Sequence, residues 1–235
     1  MAREFCARFE TVYVVEENEP FIEEHLKVAG ITNVVGKSHV PMCGELNQSI
    51  VSRALIGGDE PDRAQVSPRP PVLCPGCPHR STFFTLNRLG IGATSDIGCY
   101  TLGFLPPLSA LHTCGCMGAS IGVAHGVSKA GIVQKNVAVI GDSTFFHTGI
   151  PALLNVAYNQ SDTIVLILDN RITAMTGHQE NPGTGRTLMG QPTYAVDLEE
   201  LSRSVGIEDG HRVDSYDLAG VEAALKACLE VQGPT

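Results

Sequence analysis

Two polar side chains that follow apolar runs are the residues best suited to chemistry in this sequence. Asp142 comes shortly after the run 137–140, and Asn170 ends the segment 163–170. Both runs are typical of buried strands, and ligands of open α/β sheets bind outside the carboxyl ends of such strands. The 28 residues from Asp142 to Asn170 leave room for one helix and a return strand. We therefore expect the two strand ends to be neighbours.

Oxygen atoms from Asp142 and Asn170 would suit a hard divalent cation. Mg²⁺ fits best, because proteins hold it through one or two oxygens while ligand phosphates and water complete its shell. Gly141 would leave room for a phosphate, and the hydroxyls of Ser143 and Thr144 would bind a diphosphate together with the N–H groups of the following helix. The alternative interpretation is that Asp142 is only a helix N-cap.

The elements around these residues alternate between strand and helix. Apolar runs predict strands, and periodic segments with capping residues predict helices. Strand-like segments lie at 11–18, 31–37, 93–99, 136–142 and 163–170, and helices are expected at 21–30, 45–58, 80–89, 116–129, 150–159, 197–206 and 218–231. This order predicts an α/β fold with a mostly parallel sheet and helices on both faces. A polar, glycine-rich loop spans 171–192, and long loops of this kind are usually functional.

The charge and apolar composition of the chain argue against some classes of protein. The 16 basic and 25 acidic residues give a net charge of −9, which argues against a nucleic-acid footprint. The sequence contains no apolar run of about 18 residues, so we expect no membrane span. The N-terminus lacks the apolar core of a signal peptide, and the expected location is therefore cytoplasmic. The proline-rich segment 59–72 predicts a linker and a domain boundary.

Eight cysteines in a chain of this kind indicate thiol or metal chemistry rather than a disulfide scaffold. Cys74 and Cys77 form a CxxC motif in a turn-forming context. A redox dithiol, a zinc ligand pair and an iron–sulfur ligand pair all fit this motif, although a second CxxC for a zinc ribbon is missing.

The Gly-Asp-Ser motif and the asparagine 28 residues later resemble the motif of enzymes that bind thiamine diphosphate through Mg²⁺. The resemblance implies that Asp142 and Asn170 are side-chain ligands of the metal and that the backbone carbonyl of Ile172 is a third. Ser143 stands where many members of this class have a second glycine.

Five longer segments, 73–84, 95–108, 116–126, 141–155 and 168–185, resemble the alpha subunits of the indolepyruvate:ferredoxin oxidoreductase family. This family belongs to the thiamine diphosphate-dependent 2-oxoacid:ferredoxin oxidoreductases. The resemblance implies that residues 73–235 are a thiamine diphosphate/Mg-binding domain of transketolase-like fold. Residues 1–58 resemble the end of a transketolase C-terminal-like domain.

The resemblance also implies an activity and its partners. The expected reaction is oxidative decarboxylation of aryl 2-oxo acids, such as indolepyruvate, to acyl-CoA with ferredoxin as electron acceptor. The expected cofactors are thiamine diphosphate, Mg²⁺ and, as a further candidate, a [4Fe–4S] cluster. The expected partners are the beta subunit of the oxidoreductase, ferredoxin, CoA and the aryl 2-oxo acid, within an oligomeric assembly.

Further site residues follow from the same resemblance. The segment after Met117 lines the thiamine site with Gly118, Ala119 and Ser120, which lie at a helix start where a diphosphate would be stabilised. Thr173, Met175 and Thr176 border the diphosphate or the substrate. Cys74, Cys77 and Cys99 are implied cluster ligands, with a fourth left open among Cys114, Cys116, Cys228 and a residue outside the chain.

Parts of the implied enzyme are missing from this sequence. The pyrimidine-binding domain, which would carry a cofactor-activating glutamate, and the cysteine-rich segment of the family are not found. We therefore expect a fragment that is incomplete for catalysis alone, and we assign no catalytic acid or base. Two alternatives stay open: a non-oxidative thiamine-dependent 2-oxoacid decarboxylase, and a non-catalytic binding or assembly module.

Overall fold

The computed structural model describes residues 1–58, 66–132 and 134–235, which divide into two compact units, Met1–Arg69 and Pro70–Thr235. The predicted linker 59–72 falls partly on residues 59–65, which lie outside the described residues. Within the described ranges, no helix is both long and apolar enough to cross a bilayer.

The first unit is a small α/β arrangement. It contains the helices α1 (Ala2–Cys6), α2 (Phe21–Val28) and α3 (Gln48–Ile56) and the parallel strands β1 (Val12–Tyr13) and β2 (Val34–Val35). Both strands are shorter than the sequence predicts. After β1, the Glu16 carboxylate accepts hydrogen bonds from the backbone N–H groups of Ile22 and Glu23, at the start of α2.

The second unit is built on a four-stranded parallel sheet. Its strands are β3 (Ala93–Ser95), β4 (Leu111–Cys114), β5 (Asn136–Gly141) and β6 (Thr163–Leu168), in the order β4-β3-β5-β6. Its helices are α4 (His79–Arg88), α5 (Ala119–Lys129), α6 (Asp142–Thr144), α7 (Ile150–Tyr158), α8 (Leu198–Ser204) and α9 (Leu218–Glu230), with a 3-10 helix at Cys99–Phe104. Strand β4 escaped prediction because Leu111 is its one buried residue, so the segment lacks an apolar run.

Helices cover both faces of this sheet, as the sequence predicts. Side chains alternate along β5, so that Val137 and Val139 join one apolar cluster while Ala138 and Ile140 join the other. The first cluster contains residues of α4 and α9, and the second contains residues of α5 and α7. The continuous apolar character of β5 therefore reflects burial on two sides.

One helical segment follows β5 without a break. It begins as α6, passes through a π-helix at Phe145–Gly149 and continues as α7. Pro151 stands at the start of α7 and has no N–H to donate to the preceding turn, which is where the regular α-helical ladder is interrupted. Asp142 is thereby the first residue of this segment, directly at the end of the strand.

The core of the second unit yields a stability prediction. We expect Leu86→Ala to lower the free energy of unfolding by about 2–5 kcal/mol, because Leu86 is fully buried and its loss leaves a cavity. The same change at the exposed Leu188 should stay within about 0.5 kcal/mol. Urea unfolding followed by circular dichroism measures both, and equal effects would contradict this core assignment.

Candidate functional site

The carboxyl ends of β5 and β6 lie side by side. The two strands pair in parallel with Gly141 opposite Leu168, so the residues that follow them emerge at the same edge of the sheet. The Ser143 and Thr173 hydroxyl oxygens, one after each strand, are 2.7 Å apart. The prediction that these strand ends are neighbours is confirmed.

Asp142 is a buried carboxylate at this edge, with 3% of its surface exposed. Its Oδ2 accepts a hydrogen bond of 3.0 Å from Asn181 Nδ2. Burial raises the pKa of Asp142, and the nearby Asp169 carboxyl raises it further, whereas hydrogen bonds from Asn181 and the Ser143 backbone lower it. A cation beside Asp142 would offset the cost of its buried negative charge.

Asn170 has a local hydrogen-bond partner. Its Oδ1 accepts a 3.2 Å hydrogen bond from the backbone N–H of Ile172, which forms an Asx turn within the loop. Asp169 is the side chain after β6 that interacts electrostatically with Asp142, and it also lies 3.8 Å from Arg171 Nε. The ligand set of Asp142, Asn170 and the Ile172 carbonyl therefore stays a prediction, with Asp169 as a further oxygen donor beside it.

A phosphate beside Gly141 stays a prediction, but the space on the side where a side chain would point is already filled. A Cβ at Gly141 would lie 2.6 Å from Cε1 of the buried Tyr100 ring. The glycine at the end of β5 is therefore required by the packing of an aromatic residue from the 3-10 helix.

The Tyr100 hydroxyl donates a hydrogen bond to Asp96, a buried carboxylate that was not predicted from the sequence. Asp96, with 0% of its surface exposed, accepts hydrogen bonds from the Tyr100 hydroxyl and from the α5 start: 3.1 Å from Gly118 N, 3.2 Å from Ser120 N and 2.6 Å from Ser120 Oγ. Burial and the hydrogen bond to Asp96 raise the pKa of Tyr100. Asp96 directly follows β3, as Asp142 follows β5. This position after a strand is the sequence feature from which Asp96 could have been predicted as a site residue.

The backbone N–H groups at the start of α5 have partners within the chain. The N–H groups of Gly118 and Ser120 donate to Asp96, and that of Ala119 donates to Cys116 O at 2.9 Å. A diphosphate would have to compete with a buried carboxylate for two of these donors. Gly118 itself has φ +84°, and a Cβ there would collide with Thr148. The prediction that Gly118, Ala119 and Ser120 line the thiamine site stays a prediction, with Asp96 as an established partner of two of their N–H groups.

The loop after β6 is stabilised by hydrogen bonds between its own residues. Thr173 and Gln179 form an antiparallel bridge with N···O distances of 2.9 and 3.2 Å, and Thr176 Oγ1 donates to Gln179 Oε1 at 2.6 Å. Met175 is half exposed between them.

Asn181, also from this loop, is buried against Asp142 and was not predicted. Thr144 lies at the end of α6, shortly after β5. It is buried, and its Oγ1 donates a long hydrogen bond of 3.4 Å to Ile97 O.

Three cysteines approach one another near the 3-10 helix. Cys74 and Cys77 share a turn closed by a 3.1 Å backbone hydrogen bond, and Cys99 begins the 3-10 helix. Burial raises the pKa of Cys99, and Cys77 and Cys74 raise it further by charge repulsion. Across the described ranges, however, no three His, Cys, Asp or Glu side chains are arranged to hold a metal ion. The iron–sulfur ligand set stays a prediction without a fourth member.

A cavity of about 540 Å³ runs beside β6. Its walls include the apolar side chains of Leu166 and Leu168, and it extends to Asp169 at the carboxyl end of the strand. His79 lines the cavity from the start of α4, and burial lowers the pKa of its imidazole to about 4. Both apolar and charged side chains therefore line the cavity, which reaches the carboxyl end of β6.

A comparison with known families identifies this arrangement. Residues 96–235 match the family described as thiamine pyrophosphate enzyme, C-terminal TPP binding domain. The chain belongs to this family. The match begins at the buried Asp96 and includes both strand ends of the candidate site.

Relatives and solved structures agree with the predicted resemblance. Indolepyruvate oxidoreductase subunit IorA of Pyrococcus horikoshii is 42% identical over 269 residues, which cover 99% of this chain and 41% of that protein. The protein of the same name from Archaeoglobus fulgidus is 41% identical over 253 residues, covering 97% of this chain and 40% of its own length. The chain thus spans about two fifths of these relatives.

A solved structure shows the shared fold. It is a 2-oxoglutarate:ferredoxin oxidoreductase from Magnetococcus marinus with 2-oxoglutarate, coenzyme A and succinyl-CoA bound. It matches with a TM-score of 0.60 at 20% identity and covers 72% of this chain and 63% of its own. The predicted thiamine diphosphate-binding fold is confirmed.

The packing at Gly141 gives a testable prediction. We expect Gly141→Ala to lower the free energy of unfolding by about 1–3 kcal/mol, because the new Cβ forces the Tyr100 ring to move. Gly210→Ala is the control, since no described atom lies within 4 Å of the position of its Cβ. Chemical denaturation measures both variants, and a neutral Gly141→Ala would show that the ring does not constrain this position.

The Asp96 network gives a second prediction. We expect Asp96→Asn to lower the free energy of unfolding by at least about 2 kcal/mol, because an amide cannot accept all four hydrogen bonds and leaves buried donors unsatisfied. Asp209→Asn, the same change at an exposed residue, should be close to neutral. Thermal and urea unfolding test both variants, and equal stabilities would contradict the importance of the network.

Proposed function

We propose that this chain is the thiamine diphosphate- and Mg²⁺-binding part of an oxidoreductase that oxidatively decarboxylates aryl 2-oxo acids, such as indolepyruvate, to acyl-CoA. The observation that carries the proposal is the buried Asp142 at the carboxyl end of β5, beside the end of β6, in a chain of the thiamine pyrophosphate enzyme family. The names of the relatives support indolepyruvate as the substrate.

The side chains at the strand ends fit a divalent cation. Asp142 offers a carboxylate whose pKa is raised by burial and by Asp169, so a cation would stabilise its ionised form. Asn170 and the Ile172 carbonyl would supply the remaining oxygens of the proposed Mg²⁺ set, which are the donors that this ion prefers. Asn181 holds the Asp142 carboxylate in one orientation.

The residues around the metal ligands would position the cofactor. The paired hydroxyls of Ser143 and Thr173 lie between the two strand ends, where they could donate hydrogen bonds to a diphosphate. Met175 and Thr176 would border the cofactor or the substrate from the loop after β6. Thiamine diphosphate, when bound, supplies the carbanion chemistry, and the protein contributes position and electrostatics.

Ferredoxin, a beta subunit and CoA complete the proposed reaction as electron acceptor, partner and acyl acceptor. The structural neighbour from Magnetococcus marinus is itself a 2-oxoacid:ferredoxin oxidoreductase, which is compatible with this class of reaction, although the likeness itself concerns the fold. Cys74, Cys77 and Cys99 are the proposed contribution of this chain to an iron–sulfur centre.

Calorimetry tests the metal site. We expect the chain to bind thiamine diphosphate only when Mg²⁺ is present, and Asp142→Ala to abolish this binding because the central carboxylate is lost. Asp162→Ala removes a half-exposed carboxylate from the opposite end of β6 and should leave the affinity unchanged. Unchanged affinity in Asp142→Ala would contradict the ligand assignment.

The residues after β6 allow a sharper comparison. If Asn170 is a ligand, Asn170→Ala should weaken the binding more than Asp169→Asn does. If Asp169 is the second oxygen donor, the order is reversed, and the ligand set must be redrawn around the two carboxylates. Circular dichroism spectra of both variants control for folding.

Iron analysis tests the proposed cluster. We expect anaerobic reconstitution with iron and sulfide to give bound iron in the wild-type chain and less in Cys99→Ser, because one thiolate ligand is lost. Cys43→Ser, in the first unit, is the control and should retain iron. A chain that binds thiamine diphosphate but no iron would favour the non-oxidative decarboxylase instead.

A further inference from the structure

Asn181 contacts the carboxylate that the proposed metal site uses. Its Nδ2 donates to Asp142 Oδ2 at 3.0 Å, between residues 39 positions apart in the chain. Asn181 is 7% exposed and Asp142 is 3% exposed. The hydrogen bond is therefore shielded from water, which would otherwise compete for both groups.

The orientation of the Asn181 amide is fixed by its second contact. Its Oδ1 accepts a hydrogen bond of 2.9 Å from the backbone N–H of Gly183. Turning the amide over would place its oxygen against the Asp142 carboxylate and its NH₂ group against an N–H donor. Both contacts would then be repulsive, so the NH₂ group must face Asp142.

The turn that carries Asn181 is held in place by further contacts. Asn181 O accepts hydrogen bonds from Thr184 N at 3.0 Å and from Thr184 Oγ1 at 2.9 Å. Gly183 lies against the ring of Phe146, because a Cβ at this glycine would be 3.1 Å from Phe146 Cε2. Phe146 belongs to the helical segment that begins at Asp142. Donor and carboxylate are thus held on the same packed segment.

The hydrogen bond from Asn181 occupies one oxygen of the Asp142 carboxylate. A cation that binds both oxygens must compete with the amide for Oδ2, whereas a cation that binds the other oxygen alone does not. Ca²⁺ takes about six to eight oxygen ligands and readily binds both oxygens of a carboxylate. The smaller Mg²⁺ demands an octahedral shell and keeps several waters. The arrangement therefore favours the ion that needs fewer protein oxygens.

The donor at this position is also uncharged. A lysine or arginine would cancel the negative charge of Asp142 and oppose cation binding. An acidic residue would add an oxygen ligand beside Asp142 and the nearby Asp169. The amide does neither, because it orients the carboxylate and leaves its charge for the ion.

We propose that Asn181 is a positioning residue of the cation site and that it sets the preference of this site for Mg²⁺ over Ca²⁺. This role rests on the proposed function, in which Asp142 is a metal ligand. Asn181 acts through Asp142: it holds Oδ2 and presents the other carboxylate oxygen to the ion.

Calorimetry with two cations tests the preference. The full chain is titrated with thiamine diphosphate in the presence of Mg²⁺ or of Ca²⁺, and with each cation alone. We expect the wild-type chain to favour Mg²⁺. Asn181→Ala should lower the ratio of the Mg²⁺ affinity to the Ca²⁺ affinity by about tenfold, because the group that orients a metal ligand is lost. A role in the structure of the turn alone would weaken both cations alike and leave this ratio unchanged.

A second variant keeps the turn intact. Asn181→Asp retains an oxygen that accepts from Gly183 N, yet it replaces the donor to Asp142 by an oxygen. We expect its preference to shift toward Ca²⁺ as well, because an additional carboxylate oxygen suits the ion with the larger shell. Thr184→Val is the control. It removes the hydroxyl that supports the turn and keeps the amide, so its affinity ratio should equal that of the wild type.

The outcomes distinguish the role of Asn181 from the proposed function. Equal losses for both cations in Asn181→Ala, or an unchanged preference in Asn181→Asp, would overturn the role of Asn181 and leave Asp142 as a metal ligand. A wild-type chain that binds thiamine diphosphate equally well with either cation would overturn it too. A wild-type chain that binds neither cation would overturn this role together with the metal site itself.

Discussion

The structure of the second unit depends on the hydrogen bonds that one buried carboxylate, Asp96, accepts. A carboxylate without contact with water is costly unless each oxygen is hydrogen-bonded. Asp96 meets this condition by drawing the Tyr100 hydroxyl and the start of α5, at Gly118 and Ser120, to the end of β3. Because the Tyr100 ring also packs on Gly141, the same network fixes the end of β5.

This network has a consequence for the candidate site. The start of α5 already balances the charge of Asp96, whereas Asp142 at the neighbouring strand end is accompanied by a second carboxylate, Asp169. Burial and the neighbouring Asp169 carboxyl raise the pKa of Asp142, and the proposed divalent cation would therefore stabilise its ionised form. The two aspartates occupy equivalent positions after their strands, yet one supports the structure and the other suits a ligand.

The sheet separates two apolar clusters, one on each of its faces. Alternation along β5 directs Val137 and Val139 toward α4 and α9, and Ala138 and Ile140 toward α5 and α7. The carboxyl edge of the sheet is left for the proposed metal ligands.

The α/β class, the main helices and the adjacent ends of β5 and β6 could be predicted from the sequence, because apolar runs and the polar residues that follow them are local signals. Tertiary structure decided what distant side chains do to one another. Only packing shows that Tyr100 fills the space beside Gly141, that Asp96 takes the N–H groups of Gly118 and Ser120, and that Asn181 orients Asp142. These contacts join residues 22 to 41 positions apart, and no local pattern encodes them.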